Sequence, residues 1–153
     1  MDKTLIANIN AVVKPWAFLK KGNAWYRSLD EVWQIIALER DFSWGSRYGL
    51  HFGVFVKGLD KSLSYPKERF SHIRAGVFKD DLNGNFFRYD VMDLKTPMDE
   101  KERYNLIAKK LTTTVETFFL ATRDEVNIKN SYLDGYFADT LFHLELRQYL
   151  KLT

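Results

Sequence analysis

Four side chains have the type and setting to recognise a ligand: His51, His72, Arg74 and Arg27. His51 lies between Gly49 and Gly53 in the run Tyr48-Gly49-Leu50-His51-Phe52-Gly53-Val54-Phe55-Val56. His72 and Arg74 alternate with Ile73, Ala75 and Val77. Glycines flanking a histidine leave room for something to approach the backbone. An arginine offers a planar fork of donors suited to a carboxylate or phosphate. Two imidazoles beside it add donors that strengthen as pH falls. If these stretches are neighbouring antiparallel strands, one register puts His51, His72 and Arg74 on the same side. The chemistry is then recognition of an anionic group, on a small molecule or on a partner's acidic side chain. The competing reading is a solvated or helix-covered sheet face on which glycine simply permits twist.

Reaction chemistry finds less support. The chain has no cysteine, which excludes disulfides and thiolate metal sites. His51, His72 and His143 show no helical His-x-x-x-His spacing, and His143-Leu144-Glu145 points its polar groups to different sides of a helix. The cluster Asp80-Asp81-Leu82-Asn83-Gly84-Asn85 lacks the alternating oxygen ligands of a calcium loop and reads as a turn. Ser43-Trp44-Gly45-Ser46 is not a nucleophile elbow, and phosphate-loop and dinucleotide-loop spacings are absent. The sequence therefore predicts no catalytic residue, no metal and no cofactor. It predicts a non-enzymatic binding protein for a protein partner or an anionic ligand. The alternative is a small-molecule enzyme or sensor, with His51, His72, Arg74 and Arg27 lining a pocket. Lys14, Lys20, Lys21 and Arg27 interleave with Trp16, Trp25 and Tyr26, a set able to contact phosphates and stack bases. A net charge of only +3 makes a solvated turn beside core aromatics the better reading, and nucleic acid an unlikely partner.

These residues must be positioned by the stretch Trp25 to Val56, which reads as three consecutive strands. Ala24–Ser28 and Glu31–Leu38 are rich in aromatic and β-branched residues and are separated by Leu29-Asp30. A two-residue loop there sets Arg27 against Val32, Trp25 against Gln34 and Tyr26 opposite Trp33. Trp25, Arg27, Val32, Gln34, Ile36 and Leu38 then share one side, and Tyr26, Trp33, Ile35 and Ala37 the other. Both sides carry large apolar groups, so the second strand is central and Trp33 is predicted to lie in the core. The third strand alternates cleanly over Tyr48–Val56, after a loop over 41–46. Residues 70–78 read as a fourth strand, the alternative being a strand that stops near Arg74 before a short helix, and 86–94 as a short strand or irregular segment. Lys20-Lys21-Gly22-Asn23 reads as a turn and 62–68 as a loop.

Helices frame the sheet. Residues 3–14 place Leu5, Ile6, Ile9, Val12 and Val13 on one stripe before Pro15. Thr96-Pro97-Met98-Asp99 opens a helix running to about Ala121, with Thr96 as cap. A last helix is predicted over 132–150, weakened by Gly135. The class is α+β: an antiparallel meander of four or more strands flanked by three main helices. At 153 residues, with 16% aromatic content, the chain fits a single folded domain over 1–153. No secretory leader or membrane-length apolar run is visible, so the expected location is the cytoplasm, away from membranes.

The run Phe18-Leu19-Lys20-Lys21-Gly22-Asn23-Ala24-Trp25-Tyr26-Arg27 resembles the opening of a bacterial family catalogued as domain of unknown function 4304. Val32-Trp33-Gln34-Ile35-Ile36-Ala37-Leu38-Glu39, Tyr48-Gly49-Leu50-His51-Phe52-Gly53-Val54 and His72-Ile73-Arg74 resemble its later blocks in the same order. The family usually shows asparagine where this chain has His51. The resemblance covers Phe18 to Arg74. It implies a small cytoplasmic bacterial protein and no named reaction.

Overall fold

The alternating stretches form one antiparallel sheet of six strands lying in chain order. The computed structural model describes residues 2–40, 48–61, 64–76 and 89–152. The strands are β1 (Leu19–Lys21), β2 (Ala24–Ser28), β3 (Val32–Arg40), β4 (Tyr48–Val56), β5 (Ile73–Gly76) and β6 (Leu141–Phe142). The α+β class and the meander are as the pattern predicts. β1 and β6 are additions to it, because strands of three and two residues are too short to alternate visibly. The predicted fourth strand starts only at Ile73, since Glu68–Phe70 forms a 3-10 turn. The loop over 41–46, residues 77 and 78 and the Asp80–Asn85 cluster lie outside the described residues. Of the stretch 86–94, Tyr89–Met92 is a 3-10 helix.

The β2–β3 turn is Asp30-Glu31, not Leu29-Asp30. Leu29 N–H donates to Val32 O at 2.9 Å, which makes these two the last pair before the turn. Arg27 therefore pairs with Gln34, Trp25 with Ile36 and Tyr26 with Ile35. The register shifts by two residues from the predicted one. Side chains alternate with period two, so a shift of two leaves every residue on its predicted face.

Five helices pack against that sheet. Asp2 caps α1 (Lys3–Val13), its carboxylate accepting Leu5 N–H at 2.8 Å, and Pro15 lies in the 3-10 turn that follows. α2 (Glu100–Lys110) begins one turn later than predicted. Asp99 is its cap, accepting Glu102 N–H at 3.2 Å, while Thr96 O accepts from Arg103 Nη2 at 3.0 Å. A π-turn over Leu111–Val115 joins α2 to α3 (Glu116–Ala121). The single helix predicted over 132–150 is divided. α4 (Glu125–Leu133) closes at Gly135, whose φ of 79° suits glycine, with Gly135 N–H donating to Tyr132 O and Tyr136 N–H to Ser131 O. Leu141–Phe142 then pairs with Ile73 and Arg74, and α5 (Leu144–Tyr149) follows.

The helices meet one face of the sheet. Leu5, Ile9 and Val13 of α1, Ile107 of α2, Phe118 and Phe119 of α3, Ile128 of α4 and Leu146 of α5 join Trp25, Ile36, Leu38, Leu50, Phe52 and Val54 in the main core. Each such burial contributes roughly 1.5–3 kcal/mol. The other face carries a smaller cluster of Tyr26, Ile35 and Phe55, with Ala24 and Trp33 packed against it. Trp33, predicted to lie in the core, is half-buried on this second face.

Candidate functional site

One row of side chains crosses the second face from edge to edge: Leu19, Tyr26, Ile35, Gly53, Arg74 and Leu141. His51 stands in the next row, between Ala37 and Gly76. His72 lies on the opposite flank of the row, its ring 4.9 Å from that of Phe55. The sheet therefore brings His51, His72 and Arg74 to one face. Arg27 is not with them. It pairs with Gln34 on the helix side, where Nε and Nη2 donate to Gln34 Oε1 at 2.9 and 2.6 Å and Nη1 to Trp16 O at 3.0 Å. Its guanidinium lies 4.5 Å above the Phe18 ring, and burial lowers its pKa.

The approach to Gly53 and the carboxylate for Arg74 both come from the chain itself. A strap over residues 64–71 crosses the second face. Arg74 donates through Nε to Glu68 Oε1 at 3.0 Å and through Nη2 to Glu68 Oε2 at 3.2 Å, with the Glu68 side chain 2% exposed. Ser71 sits directly on Gly53, where an added Cβ would overlap its hydroxyl and lie 2.6 Å from its own Cβ. His72 Nδ1 accepts Val56 N–H at 2.9 Å, so in the neutral ring the proton sits on Nε2. Burial lowers the His72 pKa, and neighbouring His143 adds to that shift. His51 Nε2 lies 3.7 Å from Glu39 Oε2 across the strands.

The strap also completes an aromatic cluster. The Tyr65 ring stands 5.3 Å from Tyr26, nearly perpendicular to it, and 5.3 Å from Trp33. Tyr26 and Trp33 meet edge to face at 6.2 Å. Tyr65 has φ 50° and precedes Pro66, a left-handed conformation that costs a non-glycine residue about 1–3 kcal/mol. Two ammonium groups close over the rings: Lys21 Nζ lies 3.8 Å from the Tyr65 centroid and Lys57 Nζ 5.2 Å from that of Trp33. Lys57 is held there by Ser28 Oγ at 2.7 Å and by Leu29 O. Tyr65 remains 38% exposed and Leu19, on the same face, 66%.

Sequence reasoning missed Tyr65, Glu68, Ser71 and Lys57 because they sit in or beside a segment that reads only as a loop. A signal was present. A glycine amid bulky strand residues implies a close neighbour, and the loop that follows β4 carries an aromatic and an acid. Among the described residues no three His, Asp or Glu side chains gather to hold a metal, and no helix is long and apolar enough to cross a membrane. The site thus belongs to an α+β protein that presents rings and ammonium groups on the sheet face opposite its helices. Compared with protein-family models, curated proteins and solved structures, the chain matches none.

Proposed function

We propose that this is a non-enzymatic binding protein that engages a protein partner through the sheet face opposite its helices. The observation that carries the reading is the Tyr26–Trp33–Tyr65 cluster capped by Lys21 and Lys57. Large rings held rigid by one another, with a polar rim, make a low-entropy contact surface, which is why tyrosine and tryptophan concentrate at interfaces. A pocket of His51, His72 and Arg74 has less support, because Glu68 fills the Arg74 fork and Val56 N–H occupies one His72 nitrogen. We extend the proposal to origin and place. The blocks that resemble the bacterial family fill β1 through β5 in order, which supports kinship with it and a cytoplasmic setting.

Site-specific photo-crosslinking tests the reading. p-Benzoylphenylalanine is placed at Leu19, exposed on the proposed face, and at Val126, exposed on α4. In irradiated bacterial cells, position 19 should give a discrete protein adduct that Trp33→Ala weakens, and position 126 should give none. Equal adducts from both positions, or none from position 19, would remove the proposal.

A further inference from the structure

The charges around the aromatic cluster indicate what kind of partner it takes. We infer that the segment seated on this face is acidic, presenting carboxylates to Lys21 and Lys57. The inference rests on the binding role proposed above and adds the chemistry of the ligand.

Among the described residues, neither Lys21 nor Lys57 forms an ion pair with a carboxylate. Lys21 spends its charge on the Tyr65 ring, and Lys57 on a hydroxyl, a backbone carbonyl and the Trp33 ring. An ammonium has three donors and no acceptor, so each keeps capacity for a further acceptor. The strap reinforces the sign of the field. Lys61, Lys67 and Arg69 are exposed, whereas Glu68 is buried against Arg74, and Asp60 is the one exposed acid from 57 to 69. Leu19, beside Lys21 on the same face, gives the stems of acidic side chains an apolar neighbour.

The same arrangement disfavours nucleic acid, the other polyanion. Base stacking needs a free ring face. Here Lys21 covers Tyr65, Lys57 covers Trp33, and the rings meet largely edge to face. A carboxylate reaches the ammonium groups from outside without displacing them. The Arg74 fork, whose shape suits a phosphate, is filled by Glu68.

The test is fluorescence anisotropy with a labelled short oligoglutamate, a labelled oligothymidylate and a labelled oligolysine. Each is titrated at low salt with the whole protein, with Lys21→Glu, with Lys57→Glu and with Lys129→Glu, a charge reversal on the exposed side of α4. Oligoglutamate should bind, and its affinity should fall as salt is added. Lys21→Glu and Lys57→Glu should each weaken it about tenfold, and Lys129→Glu by less than about twofold. Lys57 also ties the β2–β3 turn, so Lys21→Glu, on an exposed strand, decides the matter alone if Lys57→Glu melts early. The inference is overturned if oligoglutamate does not bind, if all three reversals weaken it equally, or if oligothymidylate binds more tightly through the same lysines. A crosslink at position 19 with no oligoglutamate binding would leave the face as an interface and remove the acidic partner. Absence of the crosslink would remove the face itself.

Discussion

His72 shows how one side chain can be placed correctly by its sequence and still be used differently. Its alternation with Ile73 puts it on the face of His51 and Arg74. Its ring is committed inward, accepting Val56 N–H through Nδ1 while packing on Phe55. Protonation would place a donor against a donor in a buried site. The folded pKa accordingly lies below the ordinary 6.5, through burial first and His143 second, with Asp60 and Glu145 pulling weakly the other way. A depressed histidine pKa means the unfolded chain takes up the proton first. Stability is therefore complete above about pH 6.5 and falls as pH drops below it. Melting temperatures from about pH 8 down to about pH 5 should decline in the wild type more steeply than in His72→Gln, whose amide still accepts the Val56 bond. Parallel profiles would mean that His72 is not buried neutral. At this scale the shared face of His51, His72 and Arg74 was legible, because alternation fixes the faces within each strand and one antiparallel register, the one formed, brings them together. The use of Arg74 was not legible, because its partner Glu68 comes from a loop without periodicity. Nor was that of His72, because alternation does not show a ring turning to a backbone N–H at the end of β4. Arg27 lies on the opposite face because it alternates with Tyr26, whose ring belongs to the second cluster.

Among the elements, the long alternating strands were the most legible. A turn displaced by one residue left their faces intact, since the two-residue register shift preserves alternation. The last helix was misread because Leu133, Phe137, Leu141 and Leu144 keep helical spacing across a break that Gly135 and pairing with β5 impose. The strap had no pattern to reveal it, yet one residue records its presence. Gly53 has no Cβ because Ser71, fully buried, occupies that space. Gly53→Ala should lower stability by about 1–3 kcal/mol in urea denaturation, the range for overpacking a filled site. Ser71→Gly in the Gly53→Ala background should recover most of that loss, giving a favourable coupling between the two positions. Additive losses would show that strap and strand do not meet there.

The whole molecule is a sheet between a thick helical layer and a thin strap, and one polar chain ties the sheet to the helices. Gln34 is fully buried in the main layer. Its Nε2 donates to Phe119 O at 2.7 Å, a carbonyl in the last turn of α3 whose backbone partner, Thr122 N–H, lies at 3.3 Å. Its Oε1 accepts twice from Arg27, whose third donor reaches Trp16 O after α1. Thr122 Oγ1 closes the network by donating to Phe118 O at 2.9 Å. Residues from four places in the chain thus satisfy one another, and a cation lies near the negative end of a helix. Gln34→Leu keeps the volume and removes both functions of the amide. It leaves two guanidinium donors without partners and a helix-end carbonyl with only its long bond from Thr122 N–H, and should cost about 2–4 kcal/mol. Arg27→Met added to Gln34→Leu removes the stranded charge and should return stability to within about 1–2 kcal/mol of the wild type, because apolar pairs of similar shape replace polar pairs at little cost. If the single variant unfolds at the wild-type urea midpoint, the network contributes nothing to joining the layers. If the double variant is less stable than Gln34→Leu alone, Arg27 matters through its stacking on Phe18 rather than through its bonds.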